Sequence, residues 1–346
     1  VIIRPFKTPE AVWAVAGAAL LIILRLISLP EAFTGFLRGA DVYLFLTGMM
    51  LLAETARQEK LFDWLAVYAA KHAKGSAKRL FLLIYGVGVI VTVFLSNDAT
   101  AVVLTPAVAA TARAVKVKNP LPYLFICAFI ANAASFVLPI SNPANLVIYG
   151  SHMPPLMHWL RLFILPSIFA VTTTYFVLYL FQRKELKQKI ESSLPIPVLP
   201  HGGKTALFGI IITAVILLAA SAIGMPLGFP TAVTGIVTSA IVIISAKKSP
   251  LAVIKGVSWS ILPLVAGLFI IVEALNKTGL IHSVSGILQQ NAAHSVAAAT
   301  WGGGLLIAFA CNLMNNLPVG LVAGNAIQIV HLPEMIKSAI LIGVDL

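Results

Sequence analysis

Apolar stretches of about 20 residues recur along the whole of this chain, separated by short loops rich in lysine, arginine, proline and glycine. A helix needs about that length to cross the hydrocarbon of a bilayer. Of the 346 residues, 59% are hydrophobic and only 10% are charged, more apolar surface than a soluble domain of this size requires. The fold class expected is an all-α polytopic membrane protein, multi-pass in the cell inner (plasma) membrane and surrounded by lipid. A net charge of +12 would suggest nucleic acid in a soluble protein. Here the basic residues sit between spans, the positive-inside pattern, so no nucleic-acid partner is expected. Cys127 and Cys311 both fall inside apolar runs without a CxxC, which argues against a disulfide framework. No cleavable signal peptide is expected, and Val1-Ile2-Ile3-Arg4-Pro5 reads as the tail of an earlier helix.

Taken in order, residues 11–29 form the first expected span, closed by Leu29-Pro30, and a second runs over 42–56. A basic stretch follows through Lys60, Lys71, Lys74, Lys78 and Arg79, expected on the cytoplasmic side. Next come two apolar arms, 80–95 and 101–112, flanking the polar Ser96-Asn97-Asp98-Ala99-Thr100-Ala101. An arm of about 15 residues reaches roughly 22 Å, to the middle of a core about 30 Å thick but not across it upright. Residues 80–112 therefore read as a re-entrant hairpin, which Arg113, Lys116 and Lys118 return to the basic side. The apolar run 121–149 is interrupted at Pro139-Ile140-Ser141-Asn142-Pro143-Ala144-Asn145, where two prolines block the helix. It reads as a discontinuous helix, whose freed backbone groups need protein or a cavity around them.

A span at 161–181 leads into a basic, proline-containing linker, 182–204, expected in the cytoplasm. Spans at 205–224, 230–246 and 257–275, an amphipathic stretch at 279–296 and a second hairpin at 297–330 follow, with Asn315-Asn316-Leu317-Pro318 at its tip. Residues 335–346 begin one more helix, truncated here. Adding 219 takes Gly48 to Gly267, Glu54 to Glu273, Leu61 to Leu280 and Asn97 to Asn316 without a gap. The stretch after Glu54 carries Arg57, Lys60, Lys71, Lys74, Lys78 and Arg79, whereas the matching stretch after Glu273 carries only Lys277. Opposite charge bias implies opposite sidedness. Residues 1–181 and 205–346 are therefore expected to be two inverted repeats, each with a re-entrant hairpin and a discontinuous helix.

Inverted repeats with broken helices and polar tips at the midplane are how many secondary transporters build a substrate site. The expected substrate-binding residues are Ser96, Asn97, Thr100, Ser141, Asn142, Asn145, Asn315 and Asn316. The alternative is that these asparagines only cap short helices. The acids within spans are Glu54, Asp98, Glu273 and, in the last helix, Asp345. Asp98, Glu54 and Glu273 are the proton-coupling candidates. Asp98 leads, because burial moves a carboxyl toward titration near neutrality; the other reading ties it to the amides of its own tip. Glu54 and Glu273 lie near span ends, where an arginine-paired structural role competes. The glycines Gly86, Gly88 and Gly302-Gly303-Gly304 would permit close helix packing. No HExxH, GxSxG or P-loop sequence occurs, so neither a membrane hydrolase nor an ATP-driven pump in one chain is supported, and no cofactor or metal is expected.

The run Ser96-Asn97-Asp98-Ala99-Thr100 with Leu104-Thr105-Pro106, then Ser141-Asn142-Pro143-Ala144-Asn145-Leu146-Val147, then Asn315-Asn316-Leu317-Pro318, resembles the arsenite/antimonite efflux permease family of the ion transporter superfamily. Ile342-Gly343-Val344-Asp345-Leu346 resembles the start of that family's last motif, which normally continues into Gly-Pro-Asn. The resemblance implies a transporter, not an enzyme, that exports trivalent arsenic or antimony against proton entry, alone or with a soluble ATPase subunit, and is compatible with an oligomer. A sodium/proton antiporter of the same superfamily and a passive pore driven by a soluble ATPase are the alternatives. Arsenous acid is a neutral trihydroxy species that needs donors and acceptors, which Asn, Ser and Thr supply. Neither tip holds a lysine or arginine, which counts against a dicarboxylate. Two cysteines fall short of the three thiolates a tight arsenic trap would use, and both read as small hydrophobes.

Overall fold

The computed structural model describes residues 8–150, 153–191 and 198–346. Among the described residues there are seventeen α-helices and no strand. Five helices are long and apolar enough to cross a membrane, or seven if each of two bent pairs is one span. The bends are 48° between α2 (Leu29–Arg38) and α3 (Ala40–Gln58) and 44° between α12 (Pro250–Gly256) and α13 (Ile261–Lys277). The first helix, α1 (Glu10–Ile23), stops short of the expected end. Leu29-Pro30 opens α2 instead, because Ser28 and Glu31 close a capping box around its first turn and proline is accepted there.

The chain divides into two compact units. One joins Val1–Leu46, Pro143–Pro154 and Ser258–Leu346; the other joins Thr47–Asn142 and Pro155–Val257.

In the second unit, the basic stretch is not a loop: Leu61–His72 is a helix, α4, that buries Leu61, Phe62, Ala66, Ala69 and Ala70 and leaves Lys71 exposed. The first hairpin rises as α5 (Ala77–Phe94), turns at 95–98, passes through a π-helical segment, Ala99–Leu104, and descends as α6 (Thr105–Ala114). At 18 residues α5 is longer than the expected arm and matches a full crossing, whereas α6 has only 10. Both arms pack on α4 and on α7 (Leu121–Ala133). Gly88 makes the α7 contact close, since a Cβ there would stand 2.8 Å from Ile130; Gly86 touches nothing. After α7 the chain breaks through a 3₁₀ turn, Pro139–Ser141. Trp159, on α9 (Leu156–Gln182), backs this break: its indole donates to the Phe136 carbonyl at 3.2 Å, and its ring lies 4.5 Å from Phe163.

The described start of the linker lies against the foot of this hairpin. Ile190 donates to the Gly75 carbonyl and Glu191 to the Val115 carbonyl, each at 3.0 Å, so adjacent residues bind the start of one arm and the end of the other. Lys116 pairs with Glu191 at 2.9 Å, which holds its ammonium above the ordinary lysine range. The rest of the second unit is α10 (His201–Ala222), which takes in 201–204 of the expected linker, then α11 (Gly228–Ser245) and α12. Gly48 on α3 lies against the backbone of Thr231 and Ala232 on α11, and Thr55 bonds Ser239 at 2.8 Å.

In the first unit, α1 packs along α13, where Gly267 admits the backbone of Ala14 and Val15. The helices α14 (Leu280–His294), α15 (Val296–Met314), α16 (Asn316–Ile329) and α17 (Glu334–Asp345) follow, with α8 (Pro143–Tyr149) packed on α16. Gly324 makes that approach close, since a Cβ there would stand 2.8 Å from Ile148 Cα, and Gln328 donates to the Ile148 carbonyl at 3.0 Å.

Equivalent elements fall at the offset of 219. Lys60 and Gly279, both with positive φ, precede α4 and α14. Ser76 and Ser295 cap α5 and α15 by accepting the amides of Arg79 and Ala298 at 3.3 and 3.2 Å.

Candidate functional site

The first tip is held by its own polar side chains. Ser96 Oγ accepts the Ala99 amide at 3.1 Å, and Asn97 Oδ1 accepts the Asp98 amide at 2.9 Å. Thr100 bonds Thr92 at 2.8 Å, which ties the π segment to the rising arm. The extra residue of a π turn leaves carbonyls short of helical partners; Thr105 meets one, donating to Thr100 O at 3.2 Å. Ser96, Asn97 and Thr100 are buried, whereas Asp98 is exposed and its carboxylate makes no hydrogen bond or ion pair among the described residues. Ser96 and Asn97 therefore do the capping that the alternative reading gave to Asp98.

The helix break is joined to this tip inside the same unit. Ser141 Oγ donates to the Val93 carbonyl at 3.0 Å and accepts the Leu138 amide at 3.2 Å. Val93 is one of the last residues of α5, so Ser141 satisfies a carbonyl freed where that helix ends. Asn142 is buried and extended, with φ −149°. Ser96, Asn97, Asp98, Thr100, Ser141 and Asn142 thus belong to one unit. Asn145, Asn315, Asn316 and Glu273 belong to the other.

At the second tip Asn315 has φ 122° and ψ 149°, a region that side chains rarely adopt. Its Oδ1 accepts the Leu317 amide at 3.3 Å, so it closes α15 and opens α16 in one residue. Asn316 is the first residue of α16, and Asn145 is fully buried on α8.

Glu54 and Glu273 sit in ion pairs. Arg57 grips Glu54 with two bonds of 2.7 and 2.6 Å, and Gln58 adds a third at 2.8 Å. Arg38 on α2 pairs with Glu273. Sequence reasoning did not single out Glu59, which is buried and paired with Lys248 at 2.6 Å. Among the described residues no group of three His, Cys, Asp or Glu side chains could hold a metal ion.

A family model described as "citrate transporter" matches residues 1–341. The chain belongs to that family. It is accordingly a polytopic membrane transporter. Among curated proteins it is 29% identical to the arsenical pump membrane protein of Yersinia enterocolitica over 296 residues, 82% of this chain and 69% of that protein. The protein of the same name from Escherichia coli K12 is 27% identical over the same shares. An uncharacterized transporter of Synechocystis is 22% identical over 310 residues, 88% of this chain and 68% of that one. Among solved structures, the YdaH transporter of Alcanivorax borkumensis, described as having an unusual topology, superposes with a TM-score of 0.59 at 16% identity. That match covers 98% of this chain and 87% of the other, and it supports the transporter fold. The resemblance drawn from the tip motifs is in keeping with these relatives.

Proposed function

We propose that this transporter exports trivalent arsenic from the cytoplasm, antimonite included, in exchange for entering protons. The observation that carries this reading is the first tip, where the amide and hydroxyl residues Ser96, Asn97 and Thr100 flank in sequence an exposed carboxylate, Asp98, that makes no ion pair among the described residues. A neutral trihydroxy substrate can both donate to and accept from such groups, and an acid without a counter-charge is suited to carry a proton. The relatives named arsenical pump membrane proteins support the same substrate class. In this reading Ser141, Asn142, Asn145, Asn315 and Asn316 also handle substrate, residues 1–181 and 205–346 are inverted repeats joined by 182–204, and Glu54 and Glu273 serve architecture through their arginines. A soluble ATPase subunit and self-association are compatible with it.

The family description favours a second reading, a citrate carrier. No lysine or arginine occurs in 80–111, 139–149 or 295–330 to meet carboxylates, so the neutral substrate is preferred. Uptake of arsenite, antimonite, citrate and sodium into everted vesicles, with and without a protonophore, separates the readings. Arsenite accumulation that collapses with protonophore is expected, and Asp98→Asn should reduce it at least tenfold while membrane content is unchanged. Citrate uptake without arsenite uptake overturns the assignment, and normal pH-dependent transport by Asp98→Asn removes the proton from that residue.

A further inference from the structure

Three stretches far apart in the chain meet at the foot of the first hairpin. Ile190 and Glu191 donate to the Gly75 and Val115 carbonyls, the Lys118 amide donates to Gln188 Oε1 at 3.0 Å, and Ser76 pairs with Lys189 in an isolated antiparallel bridge. Leu186 and Ile190 are buried, so apolar side chains anchor this strap as well. Residues 74–79, 113–118 and 183–191 together carry ten basic and two acidic residues, two thirds of the net +12 of the whole chain. All ten basic residues are exposed. Glu191 takes up Lys116, whereas Lys184, Lys187 and Lys189 make no ion pair among the described residues. The strap thus turns charges that are scattered in sequence into one positive surface.

That surface borders a membrane span. The helix α9, from whose end the strap leaves, has 27 residues, about 40 Å at helical rise and roughly 10 Å more than the hydrocarbon core. Upright, its last two turns stand at the level of the lipid headgroups. There Tyr175 and Tyr179 stack with centroids 6.2 Å apart, and Lys78 Nζ, from the first turn of α5, lies 4.8 Å from the centre of the Tyr179 ring. Tyrosines beside snorkelling lysines mark a bilayer interface. On the same turns Phe176, Leu180 and Phe181 are exposed, Phe181 at 80%. A positive surface above an exposed apolar edge is complementary to a molecule with an anionic head and apolar tails; a soluble acidic partner would use the charge alone.

We propose that the foot of the first hairpin and the strap form a binding surface for anionic phospholipid, with headgroup phosphates on the strap lysines and acyl chains along the exposed side of the end of α9. The test involves no transported solute, so it stands whichever solute is carried. The full-length protein in phosphatidylcholine nanodiscs is titrated with spin-labelled phosphatidylglycerol or spin-labelled phosphatidylcholine, and the immobilised fraction is read. The parent should take phosphatidylglycerol in preference. Replacing Lys184, Lys187 and Lys189 together by glutamine should weaken that binding at least fivefold, about the contribution of one lysine near an anionic surface. The same three positions as arginine should keep it. Glutamine at Lys204, Lys247 and Lys255 removes equal charge from exposed positions outside the surface and should match the parent. Glycerol phosphate, a headgroup without chains, should displace the lipid only at far higher concentration than unlabelled phosphatidylglycerol does. Equal losses in the two glutamine variants overturn the proposal, as do loss of binding in the arginine variant and displacement by glycerol phosphate as effective as by the lipid. A parent with no preference for phosphatidylglycerol overturns it too, and leaves the charge to a soluble acidic partner.

Discussion

At the scale of single residues, chemistry was readable where it is local. Ser96 and Asn97 announce a tip because amide and hydroxyl groups cap nearby amides, and both do so here. The arginine beside Glu54 is three residues away, within one helical turn. The partner of Glu273 is 235 residues away on α2, and nothing local points to it. Glu59 was missed for the same reason. Its burial is made by Gly202 at the start of α10, whose missing Cβ leaves room for the carboxylate, and by Lys248 beyond α11. Lys248→Ala strips a buried carboxylate of its cation. Because the lysine is half in water, the expected loss is about 1–3 kcal/mol, below that of a fully buried pair. It would be read as a lower melting temperature of the solubilised protein, with Lys248→Arg close to the parent. Unchanged melting of Lys248→Ala would mean that water or protonation already satisfies Glu59.

At the scale of elements, periodicity and breakers located the long apolar helices but not α2, α4 or α12, because apolar runs, prolines and basic loops act within a few residues of where they stand. Lengths were less legible. Nothing in the apolar run 80–112 marks where α5 gives way to the π segment, which Thr92 and Thr105 stabilise from outside it. The helix α4 is hard to see in sequence because its lysines mark the stretch as basic and mask the apolar face at Leu61, Phe62, Ala66 and Ala69. Glycine use divides sharply by contact. Gly48 and Gly267 each receive a neighbouring helix backbone, whereas Gly86 and Gly302 meet nothing within 4 Å, so the expectation of close packing fails at the latter two. Gly48→Ala and Gly267→Ala should each destabilise by about 1–3 kcal/mol through overpacking. Gly86→Ala should be neutral or stabilise by up to about 1 kcal/mol, since alanine favours helix. Gly48 and Gly267 pack inside different units, so the double variant should equal the sum within about 0.5 kcal/mol. Thermal melting of the four proteins checks all of this, and a harmless Gly48→Ala would show that α3 and α11 stand farther apart.

At the scale of the whole molecule, the compact units do not follow the chain. One gathers α1, α2 and α8 with α13–α17, and the other gathers most of α3 with α4–α7 and α9–α12. Sequence offers no signal for such interleaving, since it arises when a helix packs on one more than 200 residues away, as α1 does on α13. What sequence does carry is the offset of 219 and the opposite charge bias of the matched stretches. Together they make a prediction about sidedness. Lys74 and Ala293 are exposed residues at equivalent positions, each near the foot of a hairpin. In a protein whose own cysteines are replaced by alanine, Lys74→Cys should react with a membrane-impermeant maleimide only from the cytoplasm, and Ala293→Cys only from the opposite face. Labelling of both from one face would make the repeats parallel, and both hairpins would then open to the same side.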